Sequence, residues 1–274
     1  MNNPGKESKI YTFYYQPIKI ISAGNNYIPV WAGKNNKPDV KGFIGDDSGE
    51  NISEKNKYYS ELTGLYWVWK NTNSDIIGSC HYRRYFTAAK EPFIHQLKRM
   101  LYFPVGLYRK RFGLIYTNNI QHWKPKILST GDAEKILEDF DIILPTRRKL
   151  RQTLKKHYNK HHNPSDLVLL RKIIAAYFPE YLNSYDSILD NDQLFANNMF
   201  ITRRNTFDSL MEWIFFILFK FEEKTDLEHY KGYQERIFGF LAERLITLWV
   251  VHNQLRYKEL PLIYFKKMKY QSND

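Results

Sequence analysis

Apolar positions along the chain follow two periods. Ile10-Tyr11-Thr12-Phe13-Tyr14-Tyr15 is a short run rich in aromatic and β-branched side chains, the composition of a strand. Residues 22–56 are broken by Gly, Asn, Pro and Asp and read as loops with short strands. Tyr58, Leu62, Leu65 and Trp69 then recur at helical spacing, with Asn56 as a candidate cap and Lys70-Asn71 as the end. Ile76-Ile77-Gly78-Ser79-Cys80, bounded by Asn73, Ser74 and Asp75, is a buried strand by the same logic. A short helix over 131–139, a strand Asp141–Pro145, a helix Asp166–Tyr177 and a strand Asn198–Thr202 follow. Two long amphipathic helices close the pattern: one carries Phe207, Leu210, Met211, Ile214, Ile217, Leu218 and Phe221, the other Ile237, Phe240, Leu241, Leu245 and Leu248. Strands alternating with helices predict an α/β layered domain with a mainly parallel central sheet flanked by helices. Neither a repeat nor a Gly/Ser linker divides the sequence, so residues 1–274 read as one domain.

The strand at 76–80 runs directly into His81-Tyr82-Arg83-Arg84-Tyr85-Phe86. Ligands of open α/β sheets bind beyond the carboxyl ends of the strands. Two guanidinium groups there offer planar forks of donors that stay charged, which suits phosphate or carboxylate. A surface pair closing an ion pair is the alternative. Arg83 and Arg84 alternate along a strand, so both reach one ligand only if the chain turns at Tyr82 or soon after.

A hydrophobic fraction of 43% with 16% aromatic residues excludes a disordered chain. One cysteine, Cys80, excludes a disulfide scaffold and a cysteine-based metal centre, and fits a reducing compartment. The first residues lack the apolar stretch of a secretion signal, and the run Trp213–Phe219 is too short to span a bilayer, so a cytoplasmic or peripheral protein is expected. The formal charge of +12 calls for an anionic partner. Basic residues gather at 98–126, 147–160 and 266–269, without any nucleic-acid-binding pattern, and nucleic acid is not expected. In residues 96–126 cations interleave with apolar and aromatic side chains, the composition of an insertion lying on an anionic membrane surface.

Several groups could carry chemistry. Gly45-Asp46-Asp47-Ser48-Gly49 is an acidic, glycine-punctuated loop, able to hold hydroxyl-rich ligands or a cation, or simply to form a turn. Glu61 borders an apolar stripe and either faces a cleft or closes a boundary ion pair. His157 and His161 are spaced i,i+4 with His162 beside them; lysines and Pro164 argue against a regular helix, and no metalloprotease glutamate follows. A polar role toward substrate or solvent fits these histidines better than a metal. Arg236, Gly239 and Glu243 share one stripe of the last helix. A mid-helix glycine costs roughly 1 kcal/mol relative to alanine, which close packing or room for a ligand would offset. Glu243 is then a general base or half of a salt bridge. Phosphate-loop, dinucleotide and nucleophile-elbow motifs do not occur.

Taken in order, Gly45–Ser53, Glu61-Leu62-Thr63-Gly64-Leu65-Tyr66-Trp67-Val68-Trp69-Lys70-Asn71, His81–Phe86, Asp141–Pro145, His157-Tyr158 with His162 and Asp166-Leu167, Asn198–Ile201 and Tyr233–Leu245 resemble a bacterial glycosyltransferase family, first named as a domain of unknown function and found in capsular and exopolysaccharide clusters. The resemblance implies a GT-A-like fold of the glycogenin type and transfer of a sugar from a nucleotide donor, UDP-linked, to a growing, lipid-linked glycan. Some relatives resemble galactofuranosyltransferases. Where a GT-A strand ends in a metal-binding Asp-x-Asp, this chain has His81-Tyr82-Arg83-Arg84, and arginine can neutralise a leaving diphosphate unaided. Turnover without a divalent cation or other cofactor is therefore expected; a metal requirement would point to Asp46 or Asp47 as ligands. The site so divides into donor-binding Asp46, Asp47, Glu61, His81, Arg83, Arg84 and Asn198, acceptor-binding His157, His162 and Arg236, and the carboxylates Glu243 and Asp192 as candidates for proton transfer. A non-catalytic protein that binds anionic glycan, lipid or nucleic acid is the alternative.

Overall fold

Every residue of β4 (Ile76–His81) is buried, and the architecture is arranged around this strand. The computed structural model describes residues 7–21, 24–90 and 113–266, with the single positions Phe93, Leu97 and Leu101. In chain order the other strands are β1 (Ser8–Tyr14), β2 (Tyr27–Trp31), β3 (Ile44–Gly45), β5 (Arg84–Phe86), β6 (Leu114–Thr117), β7 (Ile142–Pro145), β8 (Arg148–Lys149), β9 (Gln193–Leu194), β10 (Phe200–Arg203), β11 (Tyr257–Leu260) and β12 (Leu262–Phe265). The main sheet runs β11-β7-β10-β4-β1-β2-β3, and β12 joins β5 to β6 beside it; β8 and β9 form a separate ribbon. β3, β2, β1 and β4 are mutually parallel, as are β7 and β11. Only β10 opposes its neighbours within this row, being antiparallel to both β4 and β7. The expected mainly parallel sheet flanked by helices is therefore present, with β10 within the row and β5 beside β4 running the opposite way.

Strand alternation sorts side chains onto two faces. Tyr11, Phe13, Ile77, Ile142 and Leu144 pack under a thick helical layer that includes Leu62–Asn71, Arg204–Glu222 and Ile237–His252. Ile10, Ile76, Cys80 and Ile143 face a thinner layer built by the helix Thr130–Asp139 and the β5, β6 and β12 strands. Cys80 is fully buried, and that burial pushes its thiol up to about 12.

The helix expected from Asn56 onward is two pieces, Asn56–Tyr59 and Leu62–Asn71. Ser60 breaks it with a φ of 53°. Asn56 does not cap; its amide donates to Ser60 O at 2.7 Å and Thr63 Oγ1 at 3.0 Å, tying the pieces together. Gly64 lets the second piece lie on β1, since a Cβ there would collide with the Phe13 ring. The break leaves Glu61 as the residue that opens the second helix. The segment Leu154–His161, for which irregular backbone was expected, is an α-helix capped by Thr153.

Much of the proposed membrane-contact segment, including Lys98, Arg99, Arg109, Lys110 and Arg111, lies outside the described residues. Its second half belongs to the domain: β6 pairs with β12, and Ile115 and Trp123 are buried. No described helix is long and apolar enough to cross a membrane.

Candidate functional site

A cleft opens where β1, β2 and β4 end. Its outer chamber, of about 430 Å³, is lined by Tyr14 and Tyr15 after β1, Ala32 after β2, and His81 to Arg84 after β4, with Ser60, Glu61 and Arg236 opposite. His81 pairs with Arg84 across a tight hairpin, so Tyr82-Arg83 form the turn that brings both arginines to one chamber. The guanidinium of Arg83 lies 5.1 Å from the Tyr82 ring and 4.9 Å from that of Tyr264, and Arg84 lies 5.1 Å from Tyr264. Neither arginine meets a carboxylate among the described residues, and the Nε of each is buried without a partner. Two cations held by aromatic faces, neither paired with a carboxylate among the described residues, offer a binding place for an external anion. Tyr15, 56% exposed, meets the Tyr82 ring edge-on at 5.2 Å and rims the mouth.

Glu61, His81, Arg84 and Arg236 also line an inner chamber of about 250 Å³, so the two spaces share one wall. The inner chamber adds Arg148, His157, His162, Asn197, Asn198, Tyr233, Gly239, Phe240, Glu243 and Arg244. Its floor is the turn before β10, where Asn197 (φ 78°) and Asn198 (φ 49°) are both left-handed, a conformation asparagine tolerates better than most residues. The site's own groups hold this turn. Glu243 Oε1 accepts from Asn197 N at 2.7 Å, and Asn198 Nδ2 donates to Glu61 Oε1 at 2.7 Å and to Gly239 O at 3.0 Å. Ser79 Oγ donates to Asn198 O at 2.7 Å, and His81 Nε2 lies 2.6 Å from Asn197 O. A carbonyl only accepts, so His81 carries its proton on Nε2. A methyl on Gly239 would approach no nearer than 3.9 Å to Ser60, so this glycine leaves room in the chamber rather than admitting another element.

Electrostatics separate the buried pair Glu61 and His81. Burial pushes His81 down to about 4 against the attraction of Glu61, 3.9 Å away, and Arg84 and Arg236 add to the lowering. His81 is therefore neutral at pH 7. Burial, the largest influence, opposes ionisation of Glu61, while attraction to His81, Arg236 at 3.4 Å and the Asn198 amide act the other way and together hold it below the usual carboxylate range. Burial, with Arg244, His161, Arg148 and His162 nearby, likewise pushes His157 to about 4.

Unfolded histidine titrates near 6.5, so the unfolded chain binds protons that folded His81 and His157 refuse. Stability should be flat above about pH 7 and fall as pH drops from about 6.5 toward 4, by several degrees in Tm. Glu61 adds loss in the same direction below its own unfolded range. His81→Gln keeps a donor for Asn197 O and should give a shallower slope of Tm against pH. An unchanged slope would show that His81 is not the group titrating.

The structure gathers most of the expected residues and leaves three out. Glu61, His81, Arg83, Arg84, Asn198, His157, His162, Arg236 and Glu243 all line the two chambers. Asp46 does not. It is fully buried and spends its carboxylate on Gly33 N (2.8 Å), Lys34 N (3.2 Å) and Ser53 Oγ (2.6 Å), bracing the loop after β2. Asp47 is held by Lys34 Nζ and Asn36 N, each at 2.9 Å. Asp192 sits beside the β8–β9 ribbon, 3.9 Å from Lys149 and outside both chambers. Sequence reasoning missed Arg148, Arg244, Tyr233 and Asn197. The basic run at 147–160 carried Arg148 as one of many cations, and the Asn197-Asn198 pair before a strand was the one local sign of a left-handed turn.

The mixed α/β fold is that of a glycosyltransferase domain: the chain is similar over 97% of its length to the apo structure of the bifunctional glycosyltransferase WbbM, at a TM-score of 0.83 and 26% sequence identity. It spans 46% of that chain. Residues 9–254 match the family described as Domain of unknown function (DUF4422), and the protein belongs to that family. No curated protein matches the sequence.

Proposed function

We propose that this domain is a glycosyltransferase that moves a sugar from a UDP-sugar to a glycan hydroxyl. The observation that carries the reading is the pair Arg83 and Arg84, without carboxylate partners among the described residues, at the strand ends and in a chamber continuous with one that holds Glu61 and Glu243. In this reading the diphosphate lies against Arg83 and Arg84, and the base rests by the aromatic rim of Tyr15 and Tyr82. The sugar crosses the shared wall toward Glu61. The bond from C1 to the diphosphate oxygen breaks and its electron pair leaves on UDP, where the two arginines compensate the charge. Glu61, kept ionised, faces the positive charge that develops on the sugar ring. The acceptor oxygen forms the new bond to C1 while its proton passes to Glu243. Both oxygens of Glu243 have one partner each, Asn197 N and Arg244 Nη1, which leaves lone pairs free for that proton. The chain's likeness to the WbbM structure supports the class of reaction; a lipid-linked acceptor at a membrane surface is part of the proposal.

Incubation with a panel of UDP-sugars tests the reading, since a transferase slowly releases UDP even without acceptor. Absence of both UDP release and UDP binding would leave the binding-protein alternative. Turnover is expected to persist after exhaustive EDTA treatment, because arginines take the place of a cation at the diphosphate. Activity that is lost and restored by Mn²⁺ or Mg²⁺ would overturn that part of the mechanism.

A further inference from the structure

Charges in the inner chamber do not cancel. Glu61 faces Arg236 at 3.4 Å and Glu243 faces Arg244 at 3.2 Å, so each carboxylate already has a cation. Arg84 is engaged by the donor in the proposed reaction. Arg148, half-buried at the start of the β8 ribbon, then remains as a cation with no carboxylate partner among the described residues. Around it lie further groups with unused hydrogen-bonding capacity: His157 Nδ1 is buried without a partner, as is the Nε of Arg244, a side chain only 2% exposed. Such groups are costly to bury unless a ligand completes them.

The lining also carries aromatic rings. Tyr233, 66% exposed, stands 5.0 Å from Phe240, which lies 4.2 Å from the His162 ring, which in turn lies 4.6 Å from Tyr158. His162 is fixed by its Nδ1–H donating to Gln234 Oε1 at 2.8 Å. A row of ring faces beside polar groups suits a sugar, whose C–H faces pack on aromatic surface while its hydroxyl edges take hydrogen bonds.

We propose that the inner chamber is an acceptor subsite for an acidic sugar, its ring packed on Tyr233 and Phe240 and its carboxylate or phosphate paired with Arg148. This rests on the glycosyltransferase reading and adds the chemical class of the acceptor. It places the domain after a step that has already added a uronic acid or a phosphorylated sugar to the chain.

The experiment is a titration of the UDP-saturated protein, so that Arg83 and Arg84 are occupied, with D-glucuronate, D-glucose 6-phosphate and D-glucose. One or both acidic sugars should bind roughly 10- to 100-fold more tightly than glucose, the scale of one charged hydrogen-bonded contact. Which acid binds better tells carboxylate from phosphate. Arg148→Gln should remove the preference and leave UDP affinity unchanged, Arg148→Lys should keep part of it, and Tyr233→Ala should weaken all three sugars alike. Equal binding of the three by the wild type, or a preference that survives Arg148→Gln, overturns the proposal. Weaker UDP binding in Arg148→Gln also overturns it, by moving Arg148 to the donor. If UDP does not bind the wild type at all, the glycosyltransferase reading itself fails, before this one is reached.

Discussion

Glu243→Gln should lower kcat by about 10²- to 10⁴-fold, the contribution of a positioned proton acceptor, while UDP affinity stays near its wild-type value. The argument is positional. Glu243 lies in the inner chamber and not the outer one, whereas Glu61 lies in the wall between them. The glutamine retains an oxygen for Asn197 N, so the turn before β10 keeps its anchor, and the thermal midpoint checks this directly. Arg244 Nη1 would face either the new amide or its oxygen, at a cost smaller than the kinetic effect. Glu61→Gln makes the contrast. It removes the anion beside His81 and Arg236 and should impair both turnover and stability. Near-normal kcat in Glu243→Gln with abolished turnover in Glu61→Gln would transfer the proton-accepting role to Glu61.

Arg84→Ala should weaken UDP binding by roughly 1.5–3 kcal/mol, equivalent to about 10- to 150-fold in Kd by calorimetry. Arg83→Ala should act on the same scale. Arg84 also borders the inner chamber, so its loss should lower kcat with saturating donor as well, which Arg83 should do less. Arg84→Lys keeps the charge but not the planar fork, and an intermediate Kd is expected. Unchanged UDP affinity in both alanine variants would remove the diphosphate assignment.

The strands and the helical periods were readable because each is a local pattern. β4 followed by two arginines was the clearest case, and the hairpin at Tyr82-Arg83 supplies the turn that the pair required. The direction of β10 was not readable, since a short strand such as Phe200-Ile201-Thr202-Arg203 looks alike whichever way it enters a sheet. The break at Ser60 was hidden for a different reason. Tyr58, Leu62 and Leu65 keep helical spacing straight through it, and serine carries no special preference for positive φ. That break turns Glu61 toward the cleft, so the feature that makes the carboxylate functional is the one the periodicity concealed. Asp46 and Asp47 misled in the opposite sense: an acidic loop that binds ligand and one that folds on its own backbone amides have the same composition. Only the hydrogen bonds to Gly33, Lys34 and Asn36 distinguish them.

Cys80 immediately precedes His81, and it is the sole thiol of the chain. Its protonated, enclosed state makes it inert to alkylating reagents while β4 stays paired with β1 and β10. Modification can therefore proceed only through excursions that part the middle of the sheet, and every modified molecule carries its label at one known place. The chain thus contains its own clock for such excursions. Its rate in the presence and absence of a ligand measures how strongly occupancy of the cleft holds the underlying sheet closed, with no reporter group added to the protein.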